Sequence, residues 1–104
     1  MRCNCEETFA PATTVRRYTD FEAAIAIVND SPFGLQAGLF SNDMRRIFRA
    51  WELIDVGGLV INDVPGWRVD HAPYGGVKQS GQGREGVRYA IEEMTELRLL
   101  MVGG

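Results

Sequence analysis

Leu35-Gln-Ala-Gly-Leu-Phe40 and Leu59-Val-Ile-Asn62 are two short apolar runs, and the stretch between them decides the fold. In that stretch Met44, Ile47, Phe48 and Trp51 fall at i, i+3, i+4 and i+7, one face of a helix. Ser41 or Asn42 is placed to cap it, and Gly57-Gly58 closes the connection. The same unit precedes it. Residues 12–18 (ATTVRRY) are rich in β-branched side chains and read as a strand. Thr19-Asp-Phe-Glu22 reads as a capping box, and Phe21, Ala24, Ile25 and Val28 repeat the helical stripe. Asn29-Asp-Ser-Pro32 stops that helix, because proline disfavours the α region before it. Strand, helix, strand, helix, strand is the pattern of a parallel α/β sheet. Three strands are few for such a sheet, so the fold class expected is α/β, a three-layer fragment of a mostly parallel sheet with flanking helices.

Downstream the pattern changes. Residues 63–80 show no periodicity, and a structureless loop beyond about 12–15 residues is usually functional. Eight of the twelve glycines lie between Gly57 and Gly86, so backbone geometry shapes this region. A short helix is expected over 83–91. A last strand is expected over 95–102, with Leu97, Leu99 and Met101 on one face.

The composition bounds the function. The chain has 104 residues and a net charge of −3, one domain or part of one. Mild acidity argues against nucleic acid and anionic membrane surfaces as partners. No apolar run reaches the roughly 18 residues of a membrane span. Cys3 and Cys5 are too close in an extended chain for an easy disulfide and read as free thiols in a reducing compartment, the cytoplasm. His71 is the only histidine, so no zinc or other metal site is expected.

Four features could carry chemistry. Gly81-Gln-Gly-Arg-Glu-Gly86 matches G-x-G-x-x-G, but no apolar strand precedes it and no acid follows at the required distance. Its plainer reading is a tight approach to a helix start, where free amides satisfy a carboxylate or carbonyl. Asp70-His71 is either a dyad or a hydrogen-bonded loop histidine. Arg68, beside Trp67, is either an anchor for an anionic ligand or a solvated arginine. Neither cysteine has a visible group to lower its pKa.

Pro73-Tyr-Gly-Gly-Val-Lys-Gln-Ser-Gly-Gln-Gly-Arg-Glu85 closely resembles the C-terminal signature of the NAD(P)-dependent aldehyde dehydrogenase family. Glu6-Glu-Thr-Phe-Ala-Pro11 resembles that family's Glu-Glu-x-Phe-Gly-Pro segment, with Ala10 where glycine is commoner. Asn29-Asp-Ser-Pro-Phe-Gly-Leu35 resembles its Asn-x-x-x-Tyr-Gly-Leu turn. The three motifs keep one register along essentially the whole chain. Family members are several times longer, and the chain resembles their last part. The family's nucleophilic cysteine, general-base glutamate, oxyanion-holding asparagine and Rossmann domain lie upstream of it.

The resemblance implies oxidation of an aldehyde to a carboxylic acid through a cysteine thiohemiacetal, with NAD or NADP as cofactor. Glu7 corresponds to the glutamate that binds the nicotinamide ribose hydroxyls, a task suited to a two-oxygen acceptor. Phe9 corresponds to the aromatic beside that ribose, and Leu35 and Tyr74 to positions lining the nicotinamide end of the cleft. Glu85 corresponds to a glutamate supporting the proton-relay path; bonding backbone amides of the Gly-rich turn is its alternative. Trp67, Arg68 and His71 lie in the loop that shapes the aldehyde pocket. That loop resembles the branch acting on lactaldehyde, glyceraldehyde phosphate or phosphonoacetaldehyde. Residues 1–94 would belong to the catalytic domain and 95–104 to an oligomerisation strand. The partners implied are a small aldehyde substrate and either a second copy or the missing N-terminal portion. The isolated chain would be inactive. A non-catalytic nucleotide-binding or interaction module is the alternative.

Overall fold

The computed structural model describes residues 6–104. The thiols of Cys3 and Cys5 lie outside the described residues. Seven elements follow in order: α1 (Phe21–Asn29), β1 (Phe33–Gly34), β2 (Gln36–Leu39), α2 (Met44–Leu53), β3 (Gly58–Ile61), β4 (Val77–Lys78) and α3 (Val87–Met94).

All three expected helices are present, and the first two start from caps other than those expected. The Asp20 carboxylate accepts from the Ala23 amide at 2.7 Å and starts α1. Thr19 and Glu22 do not close a capping box; Glu22 instead receives the Arg49 guanidinium at 3.0 and 3.3 Å, joining α1 to α2. That hydrogen bond, with the attraction of the same carboxylate, raises the Arg49 pKa. Asp43 caps α2 by accepting from the Arg45 amide at 2.9 Å, while Ser41 Oγ accepts from the Asp43 amide. Asn29 then ties the two helix ends together. Its amide donates to the Leu53 carbonyl at 2.7 Å and its oxygen accepts from the Asp55 amide at 2.8 Å.

β2 and β3 pair in parallel, Gln36 against Gly58 through Leu39 against Ile61, with α2 as the crossover that a parallel pair requires. β1 leaves this sheet. It pairs antiparallel with β4, Phe33 against Lys78 and Gly34 against Val77. The result is a mixed α/β unit with two small sheets, and the single mostly parallel sheet does not form among the described residues. Two expected strands are also not formed. Residues 12–18 and 95–102 run exposed and without regular structure, because no neighbouring strand takes up their backbone groups. The last helix begins at Val87 rather than 83, because Gly83 (φ 71°) and Gly86 (φ 115°) lie outside the helical region.

The core is small. Among the described residues only Ile25 and Ala50 are buried hydrophobics. The α2 stripe is mostly uncovered: Met44, Phe48 and Trp51 are exposed, and Ile47, Phe48, Trp51, Leu59 and Ile61 line an open apolar recess. The accessible surface is 9,044 Å², against about 5,800 Å² for a compact chain of this mass. The radius of gyration is 18.1 Å, against roughly 13 Å for a compact domain of this length. None of the described helices is long and apolar enough to cross a membrane.

Candidate functional site

The site begins where three backbone segments cross. The Gly57 amide donates to the Gly34 carbonyl at 3.0 Å and the Gly58 amide to the Leu35 carbonyl at 3.1 Å. A Cβ on Gly57 would fall on the Gly75 carbonyl, so only glycine permits this crossing. Lys78 clamps the returning loop onto the end of α1: its Nζ donates to the carbonyls of Asn29 at 2.9 Å and Ser31 at 3.1 Å. Ser80 Oγ accepts from the Gly34 amide at 2.9 Å. The loop over 63–80 is therefore tethered, although it lacks periodic structure.

The crossing leaves Leu35 between two cavities. One, of about 520 Å³, is lined by Glu7, Val28, Phe33, Leu35, Val56 and Ser80 among others. The second, of about 350 Å³, is bordered by Leu35, Tyr74, Arg84, Glu85 and Glu93. Glu7, Leu35 and Tyr74 are thus joined into one surface through Leu35. Phe9 is 93 % exposed and borders neither cavity.

Glu85 and Arg68 meet. Arg68 Nη2 lies 2.6 Å from Glu85 Oε2, and the guanidinium carbon sits 4.5 Å from the centre of the Tyr74 ring. The Glu85 carboxylate therefore does not bond the amides of the Gly-rich turn. Glu93 does that: it accepts from the Arg84 amide at 2.8 Å, and its carboxylate fills the space where a Gly83 Cβ would stand. The G-x-G-x-x-G stretch does lead into a helix, but the carboxylate meets the Arg84 amide in the turn, and the helix start at Gly86 has no side-chain cap. Trp67 is 54 % exposed, and its carbonyl accepts from the Gln36 side chain at 3.0 Å. His71 stands apart from Arg68 in a third recess with Val87, Arg88, Ile91 and Glu92. Arg88 bonds Glu92 at 2.9 Å, which raises the arginine pKa.

Sequence reasoning missed Glu93 and Gln36, whose partners lie 9 and 31 residues away. Asn29, Lys78 and Ser80 stood inside the quoted motifs, and nothing in the spacing showed what they hold.

The profile of the aldehyde dehydrogenase family matches residues 1–100. The chain is 53% identical over 97 residues to 3-sulfolactaldehyde dehydrogenase of Priestia megaterium, covering 93% of this chain and 20% of that protein. Among solved structures it is similar to a salicylaldehyde dehydrogenase from Pseudomonas putida G7 complexed with salicylaldehyde. There the TM-score is 0.89 at 43% identity, over 96% of this chain and 21% of the other. It is also similar to a glyceraldehyde-3-phosphate dehydrogenase from Methanocaldococcus jannaschii complexed with NADP. That match has a TM-score of 0.69 at 47% identity, over 73% of this chain and 17% of the other. The chain spans about one fifth of the length of the relatives it matches. On the profile match and these structural likenesses, the chain belongs to the aldehyde dehydrogenase family.

Proposed function

We propose that this chain is the C-terminal portion of the catalytic domain of an NAD(P)-dependent aldehyde dehydrogenase that oxidises a small anionic aldehyde. The observation that carries this reading is the continuous surface from Glu7 through Leu35 to Tyr74. The first cavity suits the ribose and nicotinamide end of a dinucleotide. Glu7 offers a carboxylate acceptor for neighbouring hydroxyls, and Val28, Leu35 and Val56 offer an apolar wall. NAD(P), when bound, supplies the hydride acceptor for the aldehyde carbon. The chain's own part is to hold the ribose at Glu7 and shape the cleft with Leu35 and Tyr74; the role of Phe9 beside the ribose rests on family resemblance alone, since its ring borders neither cavity.

Trp67 and Arg68 belong to the substrate side of the loop, and His71, which borders a separate recess here, would join them only in the complete enzyme. Arg68 suits an anionic substituent, because a guanidinium presents paired N–H donors to a sulfonate, phosphate or carboxylate. Two of the named relatives are named for aldehydes of that kind, sulfolactaldehyde and glyceraldehyde 3-phosphate. The relay role of Glu85 rests on family resemblance alone.

The nucleophile, the base and the Rossmann domain come from the upstream part of the enzyme, and that part completes the three-layer, mostly parallel sheet. It covers the apolar face of α2, while residues 95–104 serve as the oligomerisation strand against a second copy. The whole works in a reducing compartment, the cytoplasm. Joining this chain to the upstream four-fifths of the Priestia megaterium enzyme, in place of the matching 97 residues, tests the reading. The hybrid is expected to form NAD(P)H from small aldehydes, and the chain alone is expected not to. Turnover by the chain alone, or a folded hybrid without turnover, contradicts the proposal.

A further inference from the structure

Tyr74 and Glu85 face each other as a backbone-bonded pair. The Tyr74 amide donates to the Glu85 carbonyl at 3.1 Å, and the Glu85 amide to the Tyr74 carbonyl at 2.6 Å. Residues directly opposite in an antiparallel pair send their side chains to the same face, with Cβ atoms about 5 Å apart. Arg68 enters that space from the long loop. It lies over the Tyr74 ring at 4.5 Å and bonds the Glu85 carboxylate at 2.6 Å. Ring and carboxylate thus hold the guanidinium from two sides.

The bond to Glu85 uses a single nitrogen, Nη2. A guanidinium carries five N–H donors on three nitrogens, so at least one two-donor edge stays open. The Arg68 side chain is half exposed. Charge cancellation by Glu85 is weak in so exposed a pair, whereas a planar fork gains much from being oriented in advance.

We infer that Tyr74 and Glu85 are positioning residues: together they form a seat that turns the free N–H edge of Arg68 toward a sulfonate or phosphate group on the aldehyde. This rests on the reading of Arg68 as a substrate-facing residue. It gives Glu85 a role in specificity that acts through Arg68.

The test compares kcat/KM in the hybrid enzyme for a sulfonate-bearing aldehyde, a phosphate-bearing aldehyde and a neutral aldehyde of the same chain length. The ratio of anionic to neutral is the readout, because a loss of relay function or folding lowers all three together. Glu85→Ala and Tyr74→Leu are each expected to lower the ratio roughly three- to tenfold through KM, the range between an exposed ion pair and a charge-assisted bond. Glu85→Gln keeps an acceptor for Arg68 and is expected to hold the ratio within about twofold. The double variant Glu85→Ala/Arg68→Leu is expected to be no worse than Arg68→Leu alone, as for two members of one unit. If Glu85→Ala does not fold, Tyr74→Leu reads the same ratio. A higher ratio in Glu85→Ala shows that Glu85 competes with the substrate and overturns the seat. An unchanged ratio in both seat variants, with a collapsed ratio in Arg68→Leu, overturns the seat and leaves the Arg68 reading standing. An unchanged ratio in Arg68→Leu overturns both.

Discussion

Replacing Asn29 by alanine removes the tie between the ends of α1 and α2. Two hydrogen bonds are lost, the 2.7 Å bond to the Leu53 carbonyl and the 2.8 Å bond from the Asp55 amide. Each is worth about 1 kcal/mol net, and the first lies in a partly buried place where an orphaned carbonyl is poorly solvated. The sum is about 2 kcal/mol of local stability, or roughly thirtyfold in the local opening equilibrium. Asn29→Asp is the informative companion. It keeps the acceptor for Asp55 but sets a carboxylate against the Leu53 carbonyl, so it is expected to lose at least as much. The assay is amide hydrogen exchange in the hybrid enzyme, read at Ile54, whose amide bonds Ala50 and not Asn29. Exchange about thirtyfold faster at Ile54 in both variants is the expected result. Unchanged exchange at Ile54, or full protection in Asn29→Asp, refutes the argument.

The other expectations concern the crossing, the ribose contact and the C-terminal segment. Gly57→Ala forces apart the Gly75 carbonyl and is expected to leave little folded hybrid in a solubility assay, whereas Gly66→Ala, with nothing within 4 Å, is expected to behave as the parent. Glu7→Gln in the hybrid is expected to weaken NAD(P) binding by tenfold or more in a fluorescence titration, the loss of charge-assisted bonds worth about 1.5–3 kcal/mol. Deleting residues 96–104, whose Leu97, Leu99 and Met101 are exposed, is expected to shift the hybrid toward smaller species in sedimentation.

Local periodicity made α1, α2, β2 and β3 legible, because each apolar stripe or run is set by neighbours in sequence. The caps were off by one or two residues, since Thr19-Asp20 and Ser41-Asn42-Asp43 offer several oxygens and only geometry chooses among them. The β1–β4 pairing joins residues more than forty apart and has no local signal. Residues 12–18 and 95–102 have strand composition, but a strand needs a partner, and none is supplied among the described residues. For the candidate site, Glu7, Leu35 and Tyr74 were singled out through family resemblance. The Arg68–Glu85 pair was not, because it lies 17 positions apart across a Gly-rich loop that the Tyr74–Glu85 bridge helps to fold.

In the proposed enzyme, Glu7, Leu35 and Tyr74 form the wall of the nicotinamide end of the cofactor cleft. A crystal structure of the hybrid enzyme soaked with NADP tests it most directly. Both Glu7 carboxylate oxygens are expected within hydrogen-bond distance, about 2.5–3.0 Å, of the nicotinamide ribose hydroxyls, with Leu35 and Tyr74 against the same end of the cofactor. A bound cofactor whose ribose is held by other residues, with Glu7 turned to solvent, contradicts it.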